Sequence, residues 1–169
     1  MSDPLAPLYG ALEGVPFPRC VGCGQCCHRP WLLTTERARF PGLIDEIGGV
    51  GFLTGEPACA CKLGTACGRY ADRPLDCRLY PLDIVEHDGA LWWSVFLDCA
   101  APDELAATLI PLIPELERRL TSDILGEFTR QIAVTRAAWA PYREGRYRLV
   151  RPVDLRAPDA VTASRTQSG

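Results

Sequence analysis

Four cysteines crowd into eight residues, Cys20, Cys23, Cys26 and Cys27, in the spacing C-x2-C-x2-C-C with Gly22 and Gly24 between them. Glycine supplies tight turns at little steric cost, so this stretch predicts a knuckle loop and excludes a regular helix or strand. Two residues between thiolates let such a turn bring both sulfurs to one metal ion, about 2.3 Å away for zinc. The same run holds three corners of a 4Fe–4S cluster, with a distant cysteine at the fourth. Spacing leaves zinc and iron–sulfur open. Consecutive Cα atoms stand about 3.8 Å apart and their side chains diverge, so Cys26 and Cys27 are not expected to be equivalent ligands of one ion. One of them is available to a second centre.

Cys59, Cys61, Cys67, Cys77 and Cys99 bring the total to nine, enough for two four-cysteine sites with one thiol left over. The first 19 residues carry neither a basic leader nor a continuous apolar run, and no stretch of eighteen apolar residues occurs. The expectation is a soluble, cytoplasmic chain, where clustered thiols serve as ligands or redox groups rather than as disulfides. For Cys59 alone, plain burial as a small apolar side chain is an equal reading. A net charge of −3 and a pI near 5.4 give no electrostatic reason to expect a nucleic-acid or membrane partner.

The length of 169 residues suits one domain with a real apolar core. Its parts read as an N-terminal arm (1–19), a cysteine-cluster metal-binding region (20–100), a helical C-terminal part (101–155) and a flexible tail (156–169). The arm, rich in Pro and Gly, is expected to be extended, with Leu8, Leu12 and Phe17 packing on the body. Trp31-Leu32-Leu33 predicts a short strand. Thr34 or Thr35 with Glu36 predicts a capped helix start that Pro41 interrupts, with 43–47 resuming the helix before a flexible connection at Gly48-Gly49-Val50-Gly51. Alternating apolar residues in 82–86 and 91–97 flank Asp88-Gly89, a hairpin turn signal. Beyond Pro102 the period becomes helical: a short helix over 103–109, breaks at Pro111 and Pro114, then a stripe of Leu120, Ile124, Phe128 and Ile132 ending at Pro141. A last strand is expected over 146–150. The fold class is therefore α+β, a small, irregular, cysteine-rich and metal-organised domain with a β-hairpin and C-terminal helices.

The run Cys20-Val21-Gly22-Cys23-Gly24-Gln25-Cys26-Cys27, followed by Cys67-Gly68-Arg69-Tyr70-Ala71-Asp72-Arg73-Pro74-Leu75-Asp76-Cys77-Arg78-Leu79-Tyr80-Pro81, resembles the YkgJ-type cysteine-cluster family of zinc- or iron-chelating domains. The resemblance covers residues 20–81, with Cys99 as a late family cysteine. It implies metal ligation by Cys20, Cys23, Cys26, Cys27, Cys61, Cys67, Cys77 and Cys99. The family carries a single cysteine ahead of the position of Cys67, so Cys59-Ala60-Cys61 is a departure, and Cys61 is preferred as the ligand. A related domain occurs in flagellin lysine N-methylase, where an iron–sulfur cluster is implicated, but no methyl-donor motif is visible here.

Around the cluster, Arg73 and Arg78 are placed to offset thiolate charge and donate N–H groups to sulfur, or alternatively to pair with Asp72 or Asp76. His28 is a candidate ligand of lower rank than the cysteines, and His87 is expected at the exposed hairpin turn. Trp92, Trp93 and Phe96 divide between the two faces of their strand. Arg143, Arg146, Arg148 and Arg151 read as a solvated basic face. Function is therefore metal binding through zinc or an iron–sulfur cluster, with the ferredoxin-like run tilting the choice toward iron–sulfur. The chain reads as an accessory, redox or metal-delivery factor, as a structural zinc module presenting a surface to a protein partner, or as a metalloenzyme or partner subunit of a protein-modifying enzyme.

Overall fold

A computed structural model describes residues 3, 5–15, 23, 29–55, 58–143 and 146–154. Periodic apolar spacing sets the first element: Leu5, Leu8 and Leu12 recur every three to four residues and all are buried, Leu5 at the N-cap and the other two on helix α1 (Ala6–Leu12), which has proline in its first turn. The expected extended arm is thus helical over this stretch. Phe17 lies outside the described residues.

Strand β1 (Trp31–Leu32) forms as its apolar run predicts. A 3-10 helix follows over Thr34–Arg39 and stops at Phe40, ahead of Pro41. Residues 43–47 do not resume that helix. Ile44–Ile47 is strand β2, hairpin-paired with β3 (Val50–Leu53). The reason lies in the turn: Gly48 and Gly49 both adopt positive φ, 58° and 79°, the backbone of a two-residue hairpin turn whose twist suits antiparallel strands. β1 pairs with the other edge of β3, giving the order β1-β3-β2.

The cysteine-rich loop contains a miniature hairpin, β4 (Lys62–Leu63) with β5 (Ala66–Cys67). A short 3-10 turn over Tyr70–Asp72 leads into α2 (Leu75–Leu79). β6 (Leu82–His87) and β7 (Ala90–Phe96) form the predicted hairpin about Asp88 and Gly89, both at positive φ. α3 (Pro102–Leu109), a 3-10 turn (Ile110–Leu112) and α4 (Ile113–Glu117) bend around the prolines, and α5 spans Ser122–Arg143, with Pro141 in its last turn rather than beyond its end. β8 (Tyr147–Pro152) closes the third sheet in the order β6-β7-β8. The chain is α+β, and no described helix is long and apolar enough to cross a membrane.

Apolar burial is divided by the β1-β3-β2 sheet. Trp31, Leu33, Val50 and Phe52 belong to the main core, with the leucines of α1 and α2, Ile84, Trp93 and Val95 of the third sheet, and Ile124, Phe128 and Ile132 of α5. Leu32 and Leu53 belong instead to a smaller cluster with Phe40, Cys59 and Cys61. Alternation along a strand sends successive side chains to opposite faces. The pairing agrees: Ile44 lies opposite Leu53 and packs on the small cluster, whereas Ile47 lies opposite Val50 and packs on the main core.

Candidate metal centre

The described cysteines fall into three settings. Cys59 and Cys61 are both buried, and Cys67 packs against them in the small cluster. Cys99 follows β7 and packs against the main core, with the Cys23 thiol close enough to act on it electrostatically. Cys77 rides on α2 between Leu75 and Leu79, whose side chains enter the main core. Two residues from each, on a 3.6-residue repeat, Cys77 occupies the opposite side of the helix. Cys20, Cys26, Cys27 and the candidate ligand His28 lie outside the described residues. No disulfide joins any two of the six described cysteines. Among the described residues, no three cysteine, histidine, aspartate or glutamate side chains converge tightly enough to hold a metal ion.

Local backbone explains how the hairpin thiols are presented. Gly55 adopts φ +128°, and a Cβ there would stand 2.0 Å from the Ala58 carbonyl oxygen and 2.7 Å from the Ala60 nitrogen. Only glycine permits that approach. The loop then closes as the Ala60 N–H donates to the Thr54 carbonyl at 2.7 Å and the Lys62 N–H to the Cys59 carbonyl at 2.9 Å. Within this turn the Cys61 N–H donates to the Cys59 sulfur at 3.4 Å. The Ala101 N–H donates to the Cys99 sulfur at 3.5 Å in the same two-residue relation. A backbone N–H aimed at sulfur stabilises thiolate and tunes metal–thiolate centres. Burial nevertheless pushes the Cys99 thiol upward; the Ala101 N–H opposes this and the neighbouring Cys23 adds to it.

The arginines next to the second cysteine group fasten backbone. Arg78 donates through Nε to the Arg73 carbonyl at 2.8 Å and through Nη2 to the Ala71 carbonyl at 2.5 Å, and its guanidinium lies 4.7 Å from the Tyr9 ring centre. Arg73 Nε donates to the Tyr70 carbonyl at 3.1 Å and stacks on the Tyr70 ring. Asp72 faces Arg69 at 3.6 Å, and Asp76 accepts the Trp31 N–H at 3.1 Å. The last contact ties the helix carrying Cys77 to β1.

A residue that motif reasoning used only as a helix-start signal proves central. Glu36 is 1% exposed. Its Oε2 accepts the Leu33 N–H at 2.9 Å, and its Oε1 accepts the Leu75 N–H at 2.7 Å, the Arg39 guanidinium at 2.8 Å and the Tyr9 hydroxyl. One carboxyl group thereby joins α1, the 3-10 helix and the first residue of α2. Burial raises its pKa, against the lowering pull of Tyr9, Leu75, Leu33 and Arg39. Burial and the adjoining carboxylate likewise raise Tyr9. The spacing of Glu36 three residues after Leu33 was the available signal, but its partners Tyr9 and Leu75 are remote in sequence.

Of the basic run, Arg146, Arg148 and Arg151 each meet an acidic partner, while the Arg143 side chain lies outside the described residues. Arg146 pairs with Asp98 at 2.8 Å, Arg148 with Asp103 at 2.7 Å and Arg151 with Glu117 at 2.5 Å. Trp93 is buried and donates its indole N–H to Glu117 at 3.0 Å, whereas Trp92 is half-buried. Comparison with protein-family models, curated proteins and solved structures returns no match to this chain.

Proposed function

We propose that this chain is a metal-binding protein of the YkgJ-type cysteine-cluster kind, acting as an accessory, redox or metal-delivery factor in a reducing, cytoplasmic setting. The observation that carries this reading is the presentation of the Cys99 sulfur to a backbone N–H two residues on, a geometry repeated at Cys59 beside Cys61. A buried thiol used only as an apolar filler needs no such donor. The donor type fits: soft thiolates suit zinc or an iron–sulfur cluster rather than hard cations. Cys23, Cys61, Cys67, Cys77 and Cys99, with Cys20, Cys26 and Cys27 of the sequence motif, are the ligand set. When bound, such a centre supplies either structural cross-linking or one-electron chemistry.

A purely structural zinc module is the second reading, and β4 and β5 favour it. Each has two residues, far too short to be stable as a free hairpin, so a metal cross-link there would hold the loop itself. An open, catalytic metal position is the third reading.

Protein purified without oxygen and analysed for iron, zinc, acid-labile sulfide and visible absorbance tests the proposal. The expected result is stoichiometric iron with sulfide and a broad visible band, or stoichiometric zinc with none. A colourless protein that contains neither metal, and that takes up neither after reduction and reconstitution, overturns it.

A further inference from the structure

We infer that Arg78, flanked by Arg73 and Arg39, forms a docking surface for an acidic segment of a protein partner. This goes beyond the metal-binding reading and does not depend on it. Arg37, Arg136 and Arg148 each face a carboxylate at 3.3 Å or closer. Arg78 faces none among the described residues: its Nε and Nη2 donate to the Arg73 and Ala71 carbonyls, at 2.8 and 2.5 Å, and its guanidinium lies against the Tyr9 ring. Carbonyls and a ring orient a guanidinium but carry no net charge to cancel it. The cation is therefore held in place and uncompensated, with its Nη2 end at the surface.

Neighbouring cations extend the surface. Arg39 lies 5.0 Å from the same Tyr9 ring centre, and Arg73 stacks 3.7 Å from that of Tyr70. The acids nearby are engaged elsewhere: Glu36 is buried beside Arg39 and accepts the Leu33 and Leu75 N–H groups, Asp72 faces Arg69 at 3.6 Å, and Asp76 accepts the Trp31 N–H. A planar guanidinium meets a carboxylate through two parallel N–H bonds, and one already immobilised loses little further rotamer freedom on binding. Arginine and tyrosine are also the residues that dominate the energetic centres of protein interfaces. A nucleic acid fits less well. Base stacking needs an open aromatic face, whereas Tyr9 and Tyr70 already carry guanidinium groups, and a chain of net charge −3 repels a long polyanion.

Fluorescence anisotropy of a labelled peptide alternating glutamate and serine, titrated with the full-length chain at low ionic strength, tests this. Saturable binding that weakens with salt is expected, and a peptide with glutamine in place of glutamate should bind at least about tenfold more weakly. Arg78→Gln keeps an amide donor for a carbonyl but loses the charge, and should weaken the acidic peptide about tenfold. Arg148→Gln, at an exposed residue paired with Asp103, should change it less than about twofold. Phenylglyoxal modification of the wild-type chain, mapped by mass spectrometry, should be slowed by the acidic peptide at Arg78 and not at Arg148, a readout that needs no variant to fold. Equal affinity for the two peptides, equal effects of the two substitutions, or an Arg78 equally reactive with and without peptide overturns the inference. So does a single-stranded oligonucleotide that binds more tightly than the acidic peptide and displaces it.

Discussion

Replacing Glu36 with alanine removes the acceptor of four donors from three chain segments. Two of them, the Leu33 and Leu75 N–H groups, make their bonds in buried surroundings and would be left unsatisfied at about 1–3 kcal/mol each. The Arg39 side chain is 33% exposed and can turn to water, so its loss adds little. Relief of the carboxylate's own burial works in the other direction. A net destabilisation of about 2–4 kcal/mol follows, near the lower bound for breaking a buried charged contact. With a urea m-value of about 2 kcal/mol/M for a domain of this size, the midpoint should fall by roughly 1–2 M. Trp31 and Trp93, both almost fully buried, report the transition by fluorescence. A midpoint shift below about 0.3 M would refute the claim that this carboxyl group binds the three segments together. The glutamine variant gives the sign of the charge effect. Burial holds the folded pKa of Glu36 above its ordinary value of 4.5, so the contribution to stability is fully present below that value and is lost as pH rises through the folded pKa. The wild-type margin over Glu36→Gln should therefore be widest in acid and shrink toward neutrality; a margin that grows with pH would reverse the assignment.

Lys62 is the sole lysine and sits on β4, so a lysine-specific protease cuts this chain at one point inside the cysteine hairpin. Chelation should accelerate that cut at least about tenfold if metal closes the hairpin, and equal rates with and without chelator would speak against it. Gly55→Ala forces a Cβ to within 2.0 Å of a backbone oxygen at φ +128°; it should lower the urea midpoint, and an unchanged midpoint would refute the tightness of this turn. Gly48→Ala meets the Val134 side chain at 2.7 Å and retains φ +58°, so thermal unfolding should come several degrees earlier, a cost of about 1–3 kcal/mol. Phe40→Ala empties a fully buried site in the small cluster and should cost about 3–5 kcal/mol, read in the same denaturation assay.

The β6–β7 hairpin was legible because Asp88-Gly89 carries both the turn chemistry and the flanking alternation. The stripe of Ile124, Phe128 and Ile132 was legible because four-residue spacing survives burial unchanged. Gly48-Gly49 carries the same kind of turn signal, yet the short run before it, Leu43 to Ile47, fits helix and strand periods alike. Only pairing with Val50–Leu53 decides it. α1 was obscured by Pro4, Pro7 and Gly10, although proline is at home in a first helical turn. For the centre, spacing named the cysteines but not their grouping. Cys59, Cys61 and Cys67 share the small cluster while Cys99 packs on the main core, a division set by tertiary packing. Arg73 and Arg78 were assigned by proximity in sequence, while their observed bonds depend on the fold of the 70–78 loop.

Nothing in the hydrophobicity of Trp31-Leu32-Leu33 fixes its register, since all three side chains are apolar and would accept burial on either side. Shape discriminates where polarity does not. Trp31 stands edge-on to Phe128 at 4.8 Å between ring centres. A leucine in that place would leave the aromatic contact unmade, and a slip by one residue would turn the indole toward Phe40 and the hairpin sulfurs. The size of a single indole thus acts as an address label, telling the chain that leaves the first cysteine group which side of the sheet is which.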